Sequence, residues 1–178
     1  MIAFWFGRAN PLTKGHNRLV NNLKQKALVY GCEARIYLSH LEQVPKNPLS
    51  YKDRLRYARE AFGDIVVKSD ISGLFPLLKS FEQEGIKEVF WFTGSDRALS
   101  YERITQYNGQ EFNFKTIKII SLRRTAKHIS STKMRSYALD GNKDLFLKGL
   151  PSKLSHKTQE EIYKKVKKKL AEYDNTII

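Results

Sequence analysis

Cysteine is almost missing from this chain. Its 178 residues include one, Cys32, so no internal disulfide forms, and the composition suits a reducing, cytoplasmic setting. No apolar run approaches the roughly 18–20 residues needed to cross a bilayer, so no membrane partner is expected. The opening Met1–Phe6 lacks a basic n-region and is too short for a secretory h-region; it reads as a strand. Acidic residues are scarce beside basic ones, 18 against 32, for a net charge of +14. That imbalance calls for a polyanionic partner, either nucleic acid or a substrate carrying phosphates. The segment after the first strand carries neither the Gly-x-x-x-x-Gly-Lys-Ser/Thr loop nor the Gly-x-Gly-x-x-Gly fingerprint.

What is present is enough to fold. An apolar fraction of 41% with 12% aromatics excludes a disordered chain, and the length suits one domain with a real core. Apolar runs and helical stripes alternate. Ile2–Phe6, Ala34–Leu38, Ile65–Val67, Glu88–Thr93 and Thr116–Leu122 read as strands. Asn17–Tyr30, Tyr51–Phe62 capped by Ser50, and Leu74–Glu84 read as helices; another starts near Arg97, and Ser130-Ser131-Thr132 opens one more. Glu42–Leu49, with Pro45 and Pro48, reads as loop. The pattern predicts an α/β, Rossmann-like, doubly wound parallel sheet of five strands over residues 1–154, with a basic C-terminal helix over 155–178 packed on it.

In such a sheet ligands lie beyond the C-terminal ends of the strands, so the segments that follow strands matter most. After the first comes Gly7-Arg8-Ala9-Asn10-Pro11-Leu12-Thr13-Lys14-Gly15-His16. After the fourth comes Gly94-Ser95-Asp96-Arg97. After the fifth come Arg123-Arg124-Thr125 and Ile129-Ser130-Ser131-Thr132-Lys133-Met134-Arg135. Gly15 and His16 fall in the first turn of a helix, where unpaired N–H groups and the helix dipole favour phosphate. Taken singly, Thr13 and Ser130 also read as simple helix caps, Asp96 as a cap of the helix after it, and Lys46 as a solvated lysine.

Together the segments resemble the HxGH-motif nucleotidyltransferase superfamily. Asn10-Pro11-x-Thr13-x-Gly15-His16 resembles its His-x-Gly-His signature, and Ile129–Arg135 resembles its Ile-Ser-Ser-Thr-x-x-Arg signature. Thr13 stands where the family has its first histidine, a substitution that resembles eukaryotic nicotinamide-mononucleotide adenylyltransferases; Ala9 replaces the usual aromatic. A phage-type group in the superfamily is the nearest likeness. It shares the Lys46-Asn47-Pro48-Leu49 loop, Gly94–Arg97, Tyr107-Asn108-Gly109 and Gly149-Leu150-Pro151, and the likeness covers residues 1–154.

The resemblance implies transfer of a nucleoside monophosphate from a triphosphate to a small phosphorylated acceptor, with release of pyrophosphate. It implies catalytic roles for His16, Thr13, Arg135 and Lys46. Gly7, Arg8, Asn10, Gly15, His16, Gly94, Asp96, Ser130, Ser131, Thr132 and Arg135 would bind nucleotide, with Arg123 and Arg124 as further cations. His16 and Thr13 would donate to the α- or β-phosphate, the Ser130–Thr132 turn would hold the β- and γ-phosphates, and Lys46 would meet the acceptor phosphate. Mg²⁺ would arrive on the triphosphate, since no carboxylate cluster stands out to bind it. ATP with nicotinamide mononucleotide is the first expectation; CTP with a sugar or polyol phosphate is the alternative. A reading of another class is a nucleic-acid-binding module on an inactive nucleotidyltransferase fold. The sequence neither requires nor excludes an oligomer.

Two features have plainer readings. In Tyr163–Leu170 the lysines alternate with Ile162, Val166 and Leu170 at i, i+4 and i+8, the pattern of a docked helix with a solvated basic face. Trp5 and Trp91 lie inside strands and are expected in the core rather than as stacking platforms.

Overall fold

A computed structural model describes residues 1–123 and 129–176. In chain order the described residues form β1 (Ile2–Gly7), α1 (Lys14–Tyr30), β2 (Glu33–Leu38), α2 (Tyr51–Phe62), α3 (Leu74–Gln83), β3 (Glu88–Gly94), α4 (Ala98–Thr105), β4 (Thr116–Leu122), α5 (Ser131–Leu139), α6 (Lys143–Gly149) and α7 (His156–Asp174). The sheet is parallel throughout, in the order β2-β1-β3-β4, consistent with a Rossmann-like α/β fold.

The sheet has four strands, not five. The expected strand at Ile65–Val67 is absent as a named element, although the Val67 N–H donates to the Ile36 carbonyl at 2.9 Å. Three β-branched residues squeezed between the Gly63-Asp64 turn and a polar loop are too few to carry a ladder. The former fourth and fifth strands are therefore β3 and β4. Strand order reverses between β1 and β3, whose C-terminal residues are Gly7 and Gly94. At Gly7 a side chain would sit 2.5 Å from the Trp5 ring, which lies over it two residues back on the same strand face.

The chain divides into two compact units: residues 1–7, 18–39 and 67–126, and residues 8–17, 40–66 and 127–178. The first holds the sheet. Ile2 and Phe4 of β1, Val89 and Trp91 of β3, and Leu77, Leu78 and Phe81 of α3 form its core with Tyr37, Phe112 and Phe114. Phe4 meets Phe81 edge-on at 5.1 Å and stacks on Trp91 at 5.4 Å; Trp91 stacks in turn on Tyr101 at 4.1 Å. Both tryptophans are buried as core residues. The Tyr107-Asn108-Gly109 segment is a turn in this unit. The Asn108 carboxamide donates to the Phe114 carbonyl and accepts from the Phe114 N–H, both at 2.9 Å, while Gly109 takes the left-handed φ of 87° the turn needs.

The second unit is helical. Ser50, Ser130 and Ser155 cap α2, α5 and α7, each accepting a backbone N–H from the first turn. Met134 and Ala138 of α5, Phe146 of α6 and Ile162, Val166 and Leu170 of α7 are buried. At Gly149 a side chain would overlap the Met134 sulfur, so the Gly149-Leu150-Pro151 segment has a packing reason. Between α2 and α7 runs a polar seam. Arg56 and Tyr57 donate to Glu161 at 2.5 and 3.0 Å, Lys165 bridges Glu161 and Asp53 at 3.1 and 2.7 Å, and Thr158 donates to Glu60 at 2.7 Å.

Burial raises the Glu161 pKa, but the hydrogen bonds from Arg56, Lys165 and Tyr57 outweigh it and bring the carboxyl down to about 2. A carboxyl held below its unfolded value stabilises the fold above that value, and loses its contribution as pH falls from about 4.5 toward 2. Glu161→Gln is expected to cost about 1 kcal/mol at neutral pH, a fall of roughly 2–4 °C in Tm. It should also flatten the acid limb of a Tm-versus-pH series, which checks the assignment.

Candidate functional site

The first signature lies in the second unit as a loop and the start of α1. Thr13 closes the loop. Its N–H donates to His16 Nδ1 at 3.0 Å, and its hydroxyl lies 3.4 Å from the His16 N–H and 3.1 Å from Nδ1. The two residues thus form a reciprocal cap, with histidine in the place usually held by Glu or Gln. An Nδ1 that accepts from a backbone N–H has its lone pair engaged, so the ring proton of the neutral imidazole sits on Nε2. Thr13 is buried, and its polar atoms face His16. It orients the imidazole. Lys14 and Gly15 follow as the first two helical residues, whose N–H groups have no intrahelical acceptor.

The loop before Thr13 is fastened at several points. Asn10, buried, donates to the Leu49 carbonyl and accepts from the Leu49 N–H, both at 3.0 Å. Its carboxamide ties this loop to the Lys46-Asn47-Pro48-Leu49 segment and imitates a strand pairing. Lys46 itself is exposed in that segment, and the Asn47 Oδ1 beside it is buried with no hydrogen-bond partner among the described residues. Ala9 has φ 46°, the left-handed region in which a Cβ is disfavoured.

The second signature meets the first, 120 residues away in sequence. The Ser131 hydroxyl donates to the Pro11 carbonyl at 2.8 Å, and Arg135 Nη1 donates to the Asn10 carbonyl at 2.8 Å. Arg135 Nη2 also donates to the Thr132 hydroxyl at 3.1 Å, while Ser130 accepts from the Lys133 N–H at 3.1 Å as the α5 cap. The three hydroxyls therefore differ. Ser131 is a tether, Ser130 is a cap, and Thr132 accepts from Arg135 with its own proton left to donate.

The charge here is positive. Among the described residues no carboxylate forms an ion pair with Arg8, Arg54 or Arg135. Burial and then the like charge of Arg8 push Arg135 below the ordinary guanidinium value. Arg54 was visible in the sequence only as one of several basic residues on α2. In the structure it is fully buried and donates to the carbonyls of Leu49 (3.2 Å), Arg8 (2.7 Å) and Leu41 (3.2 Å). Burial pushes its pKa down as well, with Glu42 and Tyr51 partly offsetting it. No local spacing rule signals such a residue, because its partners are backbone atoms 5, 46 and 13 positions away.

Arg8, Asn10, Thr13, Gly15, His16, Lys46, Ser130, Ser131, Thr132 and Arg135 all belong to this second unit; Gly7, Gly94 and Asp96 belong to the first. There Gly94 ends β3, and Asp96 is exposed in the turn that follows. Asp96 is not the cap of α4: the helix starts at Ala98, and its N-cap, Arg97, makes no side-chain capping bond. Arg123 is exposed just past β4, and Arg124 lies outside the described residues. No group of three or more potential metal-ligating side chains occurs among the described residues. The lysines of α7 are partly paired. That helix carries six lysines against four acidic residues, and Lys165, Lys168 and Lys169 are each paired with a carboxylate.

Two outcomes test this geometry. Asn10→Ala is expected to cost about 2–3 kcal/mol in urea unfolding, because it leaves both polar groups of Leu49 without partners. Long-range ¹H–¹⁵N spectra at neutral pH should find the His16 proton on Nε2; the Nδ1–H form would contradict the cap. No protein-family model matches the chain, and no curated protein matches it.

Proposed function

We propose that this protein is a nucleotidyltransferase. It moves a nucleoside monophosphate, AMP from ATP in the first instance, onto a small phosphorylated acceptor such as nicotinamide mononucleotide, and releases pyrophosphate. The observation that carries the reading is the joining of the two signatures through Ser131–Pro11 and Arg135–Asn10. Two segments that resemble one family's phosphate-binding motifs have no structural need to meet, yet they do. Around that junction stand cations without carboxylates and two helix N-termini, a donor set suited to an anion rather than to a metal ion.

In the proposed reaction a phosphate oxygen of the acceptor attacks the α-phosphorus. A new P–O bond forms, the bond to the bridging oxygen breaks, and pyrophosphate leaves with the electron pair. The nucleophile is already an anion at neutral pH, so the protein has no proton to remove. Its work is to position the two phosphates and to stabilise charge moving toward the leaving group. His16 supplies Nε2–H, Arg8 and Arg135 supply guanidinium donors, and the first-turn N–H groups of α1 and α5 complete the cradle. Thr13 acts through His16. Lys46, exposed beside Leu49, is the cation proposed for the acceptor phosphate; Gly94 and Asp96 stay as nucleotide contacts on the resemblance alone. Mg²⁺ bound through the phosphates would supply further charge neutralisation.

The test is pyrophosphate release from ATP or CTP with Mg²⁺ and a panel of acceptors, nicotinamide mononucleotide and polyol phosphates included. His16→Ala should lower turnover about 10²–10³-fold, far more than its loss of the Thr13 cap explains, since that loss costs about 1–2 kcal/mol and lowers Tm by only a few degrees. Thr13→Ser, which keeps the cap, should lower it by less than about tenfold. Absence of turnover with every pair would refute the proposal.

A further inference from the structure

We propose that Arg54 is a positioning residue of this phosphate site and acts by setting the conformation of Ala9. The proposal rests on the phosphate-site reading above. Arg54 holds the carbonyls of Arg8, Leu41 and Leu49, from two segments of the second unit, with a fully buried guanidinium that no carboxylate pairs among the described residues. A hydrophobic residue would fill the same space, and a lysine would bring the same charge. Only a planar fork reaches all three acceptors at once.

Ala9 supplies the link to function. It is buried and left-handed, with φ 46°, a conformation that any residue with a Cβ adopts only when its surroundings impose it. Its surroundings do so from both sides. Arg54 holds the Arg8 carbonyl, and Arg135 holds the Asn10 carbonyl. The Arg8–Ala9 peptide is trans, so its N–H points opposite to its carbonyl. With that carbonyl turned to the buried guanidinium, the Ala9 N–H is directed away from it. Among the described residues this N–H has no acceptor. An unpaired N–H between two clamped carbonyls, in a loop bearing Arg8, is poised to donate to a phosphate oxygen.

The experiment titrates inorganic pyrophosphate into the full chain by calorimetry, with a thermal melt of each variant. Arg54→Lys keeps the charge and loses the fork. It should bind pyrophosphate about tenfold more weakly. Adding Ala9→Gly should recover most of that affinity without restoring Tm, because glycine takes a positive φ unaided. A folded Arg54→Lys that binds like the wild type, or a double variant with no recovery, overturns the proposal. If Arg54→Lys does not fold, amide exchange in the wild type decides. The Ala9 N–H should become protected when pyrophosphate saturates the protein, and unchanged exchange counts against the proposal. A wild type that binds no pyrophosphate defeats the phosphate-site reading itself, and this proposal with it.

Discussion

Two guanidinium groups set the shape of the loop between β1 and α1. Arg54 holds the Arg8 carbonyl, Arg135 holds the Asn10 carbonyl, and between them Ala9 stands at a φ that an alanine does not choose alone. The other fastenings build on that clamp. Asn10 pairs with Leu49, Ser131 reaches Pro11, and Thr13 closes the loop by capping α1 with His16. Backbone carbonyls, with the Thr132 hydroxyl for Arg135, are the acceptors, so both guanidinium groups are hydrogen-bonded without a carboxylate partner among the described residues. A site made this way is rigid and electropositive at once.

That combination matches what phosphoryl-group chemistry asks of a protein. When the nucleophile is already anionic, acid–base residues matter less than fixed donors aimed at developing charge. In the proposed reaction the donors are of that kind: guanidinium groups, first-turn N–H groups and an imidazole Nε2–H whose tautomer the cap determines. The net charge of +14 has two different destinations. On α7 three of six lysines are paired with carboxylates. Around the loop of residues 8–13, among the described residues, no carboxylate forms an ion pair with Arg8, Arg54 or Arg135.

The sequence singled out the segments that meet around this loop more readily than the contacts their side chains make. Both signatures, and the strands before them, were legible as runs and spacings; β4 and α2 have the expected bounds. Ile65–Val67 failed as a strand because composition alone cannot show how many ladder bonds a three-residue run will make. Thr13 and Ser131 were read as phosphate donors, whereas their hydroxyls face His16 and Pro11. A signal for Thr13 did exist, since Thr-x-x-His has the spacing of a capping box. Arg54 offered none. A buried arginine bonded to distant carbonyls leaves no pattern in its neighbours, and on α2 it reads like the exposed Lys52 and Arg56 around it.

The most direct test of the central claim is site-resolved amide mapping with ATP as the probe. If the loop and α5 form one phosphate-binding surface, amides of residues 9–16 and 130–135 respond together, with one affinity, while those along the lysine face of α7 stay unchanged. A response confined to α7, or to one signature without the other, would contradict it.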